Sequence, residues 1–295
     1  MKIRFSSDGA HLFDRATGLN MLLDEVRFDQ EHISKAPRQL SIAVTNKCNL
    51  QCQFCYVPKT QSEIPLKNLI NWIEELEENG CLGIGFGGGE PTLYDGLPDA
   101  CKYITQHTGM AVSFTTNCHE LCSSLVDKLS GNINFIRVSM DGVGKVYEQI
   151  RGCSFDSFCK NLHMLKNVAP FGINCVINSQ TIAYIDEIAS FAENIGATEL
   201  LLLPEHQSKT NSGIDQLTLC KLKEWINKFN SSLKLSISGD YRCDIPICNP
   251  LTNESSIEGF AHVTAESILK LSSFDSSGVK ITPKGILHAL SHLAS

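Results

Sequence analysis

The sequence from Gln39 onward alternates short apolar runs with longer segments in which apolar residues recur every three or four positions. This alternation is typical of βα units, which build a parallel sheet covered by helices. A closed eight-stranded barrel needs eight such units, and six are predicted here, so we expect an α/β fold with a partial (β/α)6 TIM-like barrel. The six strands are predicted at residues 40–45, 83–87, 111–116, 133–140, 173–178 and 199–204.

Helices are predicted between these strands from their apolar spacing and end signals. The first begins near Pro65, a residue favoured in the first turn of a helix, and Gly80 ends it. Leu69, Ile73 and Leu76 then share one face. Further helices are predicted at residues 98–107, 120–130, 155–165 and 182–195.

Two shorter segments flank the barrel pattern, which gives the division 1–38, 39–231 and 232–295. Residues 1–38 predict a small hairpin followed by a polar connector that ends at Pro37. We expect this annex to be too short for an independent domain. Residues 232–295 are expected to form a small C-terminal extension.

Three cysteines follow the first predicted strand at the spacing C-x3-C-x2-C: Cys48, Cys52 and Cys55. Three thiolates in one loop can hold three irons of a cubane [4Fe-4S] cluster and leave the fourth iron without a protein ligand. A zinc site usually needs two close ligand pairs, and no matching second pair follows at the usual distance. Chance clustering among thirteen cysteines is the other alternative.

Polar and glycine-rich segments stand at the ends of the next predicted strands, where the sites of parallel α/β sheets gather. After the second strand come Gly88, Gly89 and Glu90; glycines allow close backbone approach, and the carboxylate can accept a hydrogen bond from an ammonium group. A structural turn is the alternative reading of this segment.

The ends of the third and fourth strands carry Asn117, Ser139 and Asp141. Their short polar side chains can bind hydroxyl or carboxylate groups. Turn formation by the Asp-Gly pair at 141–142 and capping by Asn117 remain open alternatives.

The cysteine motif, Phe54 before its third cysteine and the Gly-Gly-Glu segment resemble the radical S-adenosylmethionine superfamily. In that superfamily the open iron is chelated by the amino and carboxylate groups of S-adenosylmethionine. The resemblance implies that the Gly88 to Glu90 segment binds the cofactor's amine and that Ser139 binds its ribose or carboxylate, with Asn117 and Asp141 less securely placed.

The segment Ile150-Arg151-Gly152, followed by Ser154 and Phe155, resembles the molybdenum-cofactor cyclase and peptide-maturase branches. There the arginine can form a bidentate pair with the cofactor carboxylate; a surface arginine is the alternative. Residues 260–274 resemble the hairpin of the SPASM or twitch extension, but serines stand where its cysteine is expected.

No cysteine follows Cys248, so we expect no complete auxiliary cluster. Cys243 and Cys248 are interpreted as relics, or as ligands that act with His262. Residues 240–247 are expected near the barrel mouth.

Two further cysteines, Cys118 and Cys153, are candidate hydrogen-atom donors to a substrate radical, as in radical epimerases. An inert buried thiol is the alternative for each. Glu205 and His206 end the sixth predicted strand and are candidates for substrate contact.

The resemblance implies reductive cleavage of S-adenosylmethionine to a 5'-deoxyadenosyl radical, which abstracts hydrogen from a substrate. We expect a ribosomally made peptide as substrate, changed by crosslinking or epimerisation, and a flavodoxin- or ferredoxin-type electron donor. Radical rearrangement or oxidation of a small molecule, such as a nucleotide or sugar, is the alternative. A second alternative, from another functional class, is a cluster-bearing scaffold or redox sensor without catalysis.

Charge and hydropathy bear on partners and location. The formal net charge of −7 at pH 7 gives no basic surface for nucleic acid, and no apolar run approaches the length of a membrane span. Residues 1–9 lack the apolar segment of a secretory signal, so reduced thiols and a cytoplasmic location are expected.

Overall fold

A small antiparallel sheet opens the chain in the computed structural model, which describes residues 1–207, 212–238, 251, 254 and 256–293. Its strands are β1 (Lys2–Ser6), β2 (Gly9–Asp14) and β3 (Leu19–Leu23), in the order β1-β2-β3. The first two form the predicted hairpin. The third strand was not predicted, because its apolar residues do not alternate regularly with polar ones. Leu19, Met21 and Leu23 are all exposed in the structure.

Arg4 fixes this sheet to the rest of the protein. Its side chain is fully buried and donates hydrogen bonds to the carbonyl oxygens of Ala36 at 2.7 Å, Gly80 at 3.2 Å and Glu258 at 2.9 Å. A buried charged group needs such partners, because its desolvation is otherwise costly. The annex is thereby tied to both the first helix region and the C-terminal region.

A second sheet contains ten strands and forms the body of the molecule. They are β4 (Gln39–Thr45), β5 (Gly83–Gly88), β6 (Ala111–Thr116), β7 (Phe135–Ser139), β8 (Phe171–Ile177), β9 (Glu199–Pro204), β10 (Lys234–Ile237), β11 (Phe260–Val263), β12 (Ile268–Lys270) and β13 (Val279–Lys280). Across the sheet the order is β10-β9-β8-β7-β6-β5-β4-β11-β12-β13. Neighbours from β10 to β11 pair in parallel, whereas β12 and β13 add antiparallel strands.

The six predicted strands and the α/β partial-barrel fold are confirmed, but the parallel sheet extends further than predicted. The segment after residue 231 contributes β10 beside β9 and β11 beside β4. Each of these strands has four residues, too few for a clear sequence pattern. Within the described residues the sheet stays open, with β10 and β13 at its two ends.

Nine α-helices lie among the described residues. They are α1 (Leu66–Glu78), α2 (Leu97–His107), α3 (Ser123–Leu129), α4 (Lys145–Arg151), α5 (Phe155–Leu165), α6 (Ile185–Asn194), α7 (Gln216–Lys228), α8 (Ser256–Gly259) and α9 (Ile286–Leu293). Short 3-10 turns lie at Gln30–His32, Pro91–Leu93 and Ile182–Tyr184. The predicted helix at 182–195 therefore begins with a 3-10 turn. Helix α4 was missed, because only Tyr147 of its seven residues is buried.

The core lies between the large sheet and its helices. Helix α1 buries Leu69, Trp72, Ile73 and Leu76, the apolar stripe expected of a helix that covers a sheet. Within the described residues, none of the helices combines the length and apolar character needed to cross a membrane. The loops at the carboxyl ends of β4 to β9 carry most of the predicted site residues.

Candidate active site

The cysteine loop, residues 46–57, begins where β4 ends and is anchored at its start. The side chain of Asn46 is buried and donates hydrogen bonds to Glu266 Oε1 at 2.6 Å and Thr60 Oγ1 at 2.9 Å. Glu266 belongs to the turn between β11 and β12. The C-terminal hairpin therefore holds the entry to the loop.

The three predicted cluster ligands, Cys48, Cys52 and Cys55, are free thiols, and each is partly exposed. Burial raises the pKa of Cys48, a shift that the backbone N–H of Leu50 opposes by donating to its sulfur. Their sulfur atoms do not all lie within 4.8 Å of one another. Three partly exposed thiols in one loop offer three soft ligands for a metal centre.

The Gly-Gly-Glu segment packs directly against the cysteine loop. Gly89 N–H donates to the Thr45 carbonyl and Glu90 N–H to the Lys47 carbonyl, both at 2.7 Å. A Cβ at Gly89 would lie 2.0 Å from the Lys47 carbonyl oxygen, and one at Gly88, where φ is +126°, would lie 2.2 Å from that of Thr45. Close backbone contact thus requires glycine at both positions.

Glu90 joins the ends of β5 and β6. Its carboxylate is 1% exposed and accepts hydrogen bonds from Thr92 N–H (3.3 Å) and from Thr92 Oγ1, Thr116 Oγ1 and Asn117 N–H (each 2.7 Å). Burial raises its pKa, and these donors oppose the shift. The contact of Glu90 with a cofactor amine stays a prediction, and the structure gives the carboxylate a supporting role.

Asn117 faces the cysteine loop, whereas Ser139 lies one strand further along. The Asn117 side-chain amide donates to Asn49 Oδ1 at 2.7 Å and lies 3.8 Å from Cys48 Sγ. Ser139 ends β7, is partly exposed and stands in register with Asn174 of β8. Both residues are therefore at the carboxyl edge of the sheet, as predicted from their positions after strands.

Arg151, the last residue of α4, connects the cysteine loop to the end of β7. Its guanidinium forms an ion pair with Asp141, donates to Cys52 Sγ at 3.5 Å and lies 5.5 Å from the Phe54 ring centroid. Asp141 is fully buried, and its Oδ1 also accepts from Val176 N–H at 2.7 Å. Burial raises the pKa of Asp141, and the Arg151 charge opposes this shift. Arg151 is not the solvated surface residue that was one alternative.

The two candidate hydrogen donors occupy different environments. Cys118 is fully buried, and burial raises its pKa, which agrees with the inert buried thiol that was the alternative. Cys153 is partly exposed, and its sulfur lies 2.9 Å from His119 Nε2. Tyr147 Oη is 2.8 Å from the same nitrogen. Of these two thiols, Cys153 is the one that is partly exposed.

His119 and Tyr147 are site candidates that the sequence interpretation missed. Tyr147 lies in α4, the helix that was not predicted. His119 follows Asn117 by two residues, and this position just past a strand end was the available signal. No sequence pattern predicts that the side chains of His119 and Tyr147 meet.

Three aromatic rings cross the carboxyl edge of the sheet: Tyr56, His206 and Phe274, called here the aromatic rim. Phe274 stacks on His206 with ring centroids 3.9 Å apart and lies 4.9 Å from the Tyr56 ring. Tyr56 and Phe274 remain 47% and 46% exposed. The rim joins the cysteine loop, the end of β9 and the C-terminal extension around an accessible apolar surface.

Of the C-terminal metal-ligand candidates, the structure describes only His262. Cys243 and Cys248 lie outside the described residues, as do residues 240–247. His262 is 4% exposed, and its Nδ1 is 3.2 Å from Ser41 Oγ within the sheet. A contact of His262 with a metal is therefore not supported by its position.

Comparison with known proteins identifies the family. Residues 42–192 match the model of the radical SAM superfamily, which is half of the chain and includes the cysteine loop. The chain belongs to the radical SAM superfamily. Its relatives in this superfamily are enzymes. Over 173 residues the chain is 30% identical to mycofactocin maturase MftC of Mycobacterium tuberculosis, and the alignment covers 55% of this chain and 44% of that protein.

A second relative has a different reaction in its name. The radical SAM chain is 29% identical over 167 residues to the S-adenosylmethionine-dependent nucleotide dehydratase RSAD2 of Siniperca chuatsi, with 51% of this chain and 47% of that protein covered. This chain thus spans about half the length of the curated relatives it matches.

A solved structure confirms the fold over nearly the whole chain. Streptococcus suis SuiB bound to its precursor peptide SuiA aligns with a TM-score of 0.76 and 15% identity, covering 98% of this chain and 86% of that one. At this identity the likeness concerns the fold alone. The fold of SuiB therefore corresponds to the barrel of this chain and also to the elements that flank the barrel.

Proposed function

We propose that this chain is a radical SAM enzyme that modifies a ribosomally made peptide. The observation that carries the proposal is the set of three free, partly exposed thiols at the end of β4, with the Gly88–Gly89 backbone packed against their loop. Soft thiolates suit an iron–sulfur cluster, and three of them in one loop can hold three irons of a cubane.

In this proposal, Cys48, Cys52 and Cys55 hold three irons of a [4Fe-4S] cluster. When bound, the cluster and S-adenosylmethionine supply a one-electron reduction and a 5'-deoxyadenosyl radical that abstracts hydrogen. The protein supplies orientation and excludes water. The segment of Gly88, Gly89 and Glu90 would position the cofactor's amine.

Side chains around the cysteine loop have complementary roles in the proposal. Asn117 and Ser139 would bind polar groups of the cofactor, and Phe54 would pack beside it. The Arg151 guanidinium would attract its carboxylate while Asp141 holds the guanidinium in place.

A peptide substrate is supported by the relatives and by the aromatic rim. One relative is named a maturase, and the solved neighbour was crystallised with a precursor peptide. Tyr56 and Phe274 offer partly exposed rings that can pack against side chains of an extended peptide. The nucleotide dehydratase relative supports the small-molecule alternative.

Epimerisation is the peptide reaction that the site supports best, because Cys153, two residues after Arg151, presents a partly exposed thiol. The S–H bond of Cys153 would break as a new C–H bond forms on the substrate radical. The resulting thiyl would recover one electron and one proton from a flavodoxin- or ferredoxin-type donor and solvent.

The place of the chain within the superfamily is also part of the proposal. The Ile150-Arg151-Gly152 segment supports the molybdenum-cofactor cyclase and peptide-maturase branches. The hairpin of β11 and β12 supports a C-terminal extension, from about residue 232, that derives from a SPASM or twitch region. The proposed division of the chain is 1–38, 39–231 and 232–295.

The deciding experiment is anaerobic reconstitution with iron and sulfide, followed by reduction with dithionite in the presence of S-adenosylmethionine. We expect about four irons per chain and release of 5'-deoxyadenosine. The variant Cys48→Ala/Cys52→Ala/Cys55→Ala should lose both, whereas Cys122→Ala, which removes an exposed cysteine outside the loop, should lose neither. A native chain that assembles the cluster but releases no 5'-deoxyadenosine, with or without peptide, would favour the scaffold alternative.

A further inference from the structure

The guanidinium of Arg151 is placed between a negative carboxylate and a cluster-ligand sulfur. It pairs with Asp141 on one side and donates from Nη1 to Cys52 Sγ at 3.5 Å on the other. The Arg151 side chain is 8% exposed and that of Asp141 is fully buried. Water and salt therefore screen these charges weakly.

The effect of these two charges on electron uptake follows from electrostatics. Reduction of an iron–sulfur cluster adds one negative charge, and its potential responds to net charge and to hydrogen bonds on the ligand sulfurs. An N–H donor and a cation at Cys52 favour the reduced form. The Asp141 carboxylate behind the guanidinium favours the oxidised form.

We propose that Arg151 and Asp141 set the reduction potential of the cluster through Cys52, with opposite signs. Arg151 raises the potential, so that a cellular donor can deliver the electron. The negative charge of Asp141 offsets part of this effect. This inference rests on the proposed cluster and goes beyond the binding of a cofactor carboxylate.

If Arg151 and Asp141 only held the structure together, their variants would shift the reduction potential differently. General loosening around the pair would admit water in every variant and shift the potential in one direction. Removal of one charge from each partner instead predicts shifts of opposite sign. Asp141→Asn is suited to this test, because an amide oxygen can still accept from Val176 N–H.

The experiment is a redox titration of the reconstituted chain without S-adenosylmethionine, followed by electron paramagnetic resonance. At the solution potential that half-reduces the native cluster, we expect the ratio of reduced to oxidised cluster to fall about tenfold in Arg151→Gln, or about 59 mV for one electron. The ratio should rise in Asp141→Asn. Arg151→Lys, which keeps the charge, should lie between Arg151→Gln and the native chain.

A matched control is available on strand β7. Arg137 forms an ion pair with Glu199 at 2.5 Å and makes no described contact with the cysteine loop, so Arg137→Gln should leave the ratio unchanged. Equal ratios in all variants, or shifts of the same sign in Arg151→Gln and Asp141→Asn, would overturn the inference while leaving the cluster established. Failure of the native chain to assemble a cluster would instead overturn the proposed function, and this inference with it.

Discussion

The sulfur of Cys153 lies 2.9 Å from Nε2 of His119, and the hydroxyl of Tyr147 lies 2.8 Å from the same nitrogen. Burial raises the pKa of Cys153 and lowers that of His119. Both directions favour a neutral thiol beside a neutral imidazole over a thiolate–imidazolium pair. A thiol that keeps its hydrogen suits hydrogen-atom transfer, whereas a nucleophilic cysteine needs the thiolate.

The protonation state of Cys153 can be measured directly by alkylation. Because its pKa is raised, half-maximal reaction with iodoacetamide should require a pH above 9, the ordinary thiol value. Cys122 provides an internal comparison, since hydrogen bonding to Ser124 lowers its pKa and its side chain is exposed. Mass spectrometry at pH 8 should find Cys122 modified several times faster than Cys153. Faster modification of Cys153 would instead indicate an activated thiolate.

The cysteine loop depends on the absence of a side chain at Gly89. In Gly89→Ala the new Cβ would collide with the carbonyl oxygens of Lys47 and Asn46, at 2.0 and 2.6 Å. We expect a loss of about 3 kcal/mol in the free energy of unfolding and fewer irons per chain after reconstitution. Urea unfolding and iron analysis measure the two effects.

The matched control stands two residues away. A Cβ at Gly87 meets nothing within 4 Å, and its φ is not positive, so Gly87→Ala should bind iron as the native chain does. Equal iron content in Gly87→Ala and Gly89→Ala would show that the loop tolerates displacement.

Sequence patterns predicted those features whose residues lie close together in the chain. The cysteine spacing, the glycines at 88–89 and the six long strands each carry their signal within a few neighbouring residues. The pairing of β11 with β4 joins residues more than two hundred positions apart, and no local pattern encodes it. The same limit applies to the Arg151–Asp141 pair and the His119–Cys153 contact, which depend on α4, a helix with a single buried residue. Glu90 was identified as important, but its burial beneath the site follows only from tertiary packing.

The contact between Glu266 and Asn46 predicts that the C-terminal hairpin supports cluster assembly. Glu266→Ala removes the acceptor at 2.6 Å from the Asn46 amide, which is buried at the start of the cysteine loop. We expect a loss of about 1 kcal/mol of stability, typical of one hydrogen bond, together with slower iron incorporation. Glu78→Ala, which removes an exposed carboxylate at the end of α1, serves as the control and should change neither quantity. Normal iron incorporation in Glu266→Ala would show that cluster assembly does not depend on this contact between the hairpin and the cysteine loop.

His262 should make the stability of the sheet depend on pH. It is buried between β4 and β12, and burial lowers its pKa to about 4, from an ordinary value of 6.5. The folded protein therefore holds His262 neutral, and unfolding takes up a proton between these two values. The stabilisation is complete above pH 6.5 and is lost as the pH falls toward 4, up to about 3 kcal/mol.

Urea unfolding at pH 7, 5.5 and 4.5 should show this fall in the native chain. His262→Gln, which keeps a polar partner for Ser41, should show a smaller fall, whereas His163→Gln, at an exposed position on α5, should behave as the native chain does. An equal fall in His262→Gln would mean that other groups take up the proton, since the buried imidazole would then be absent.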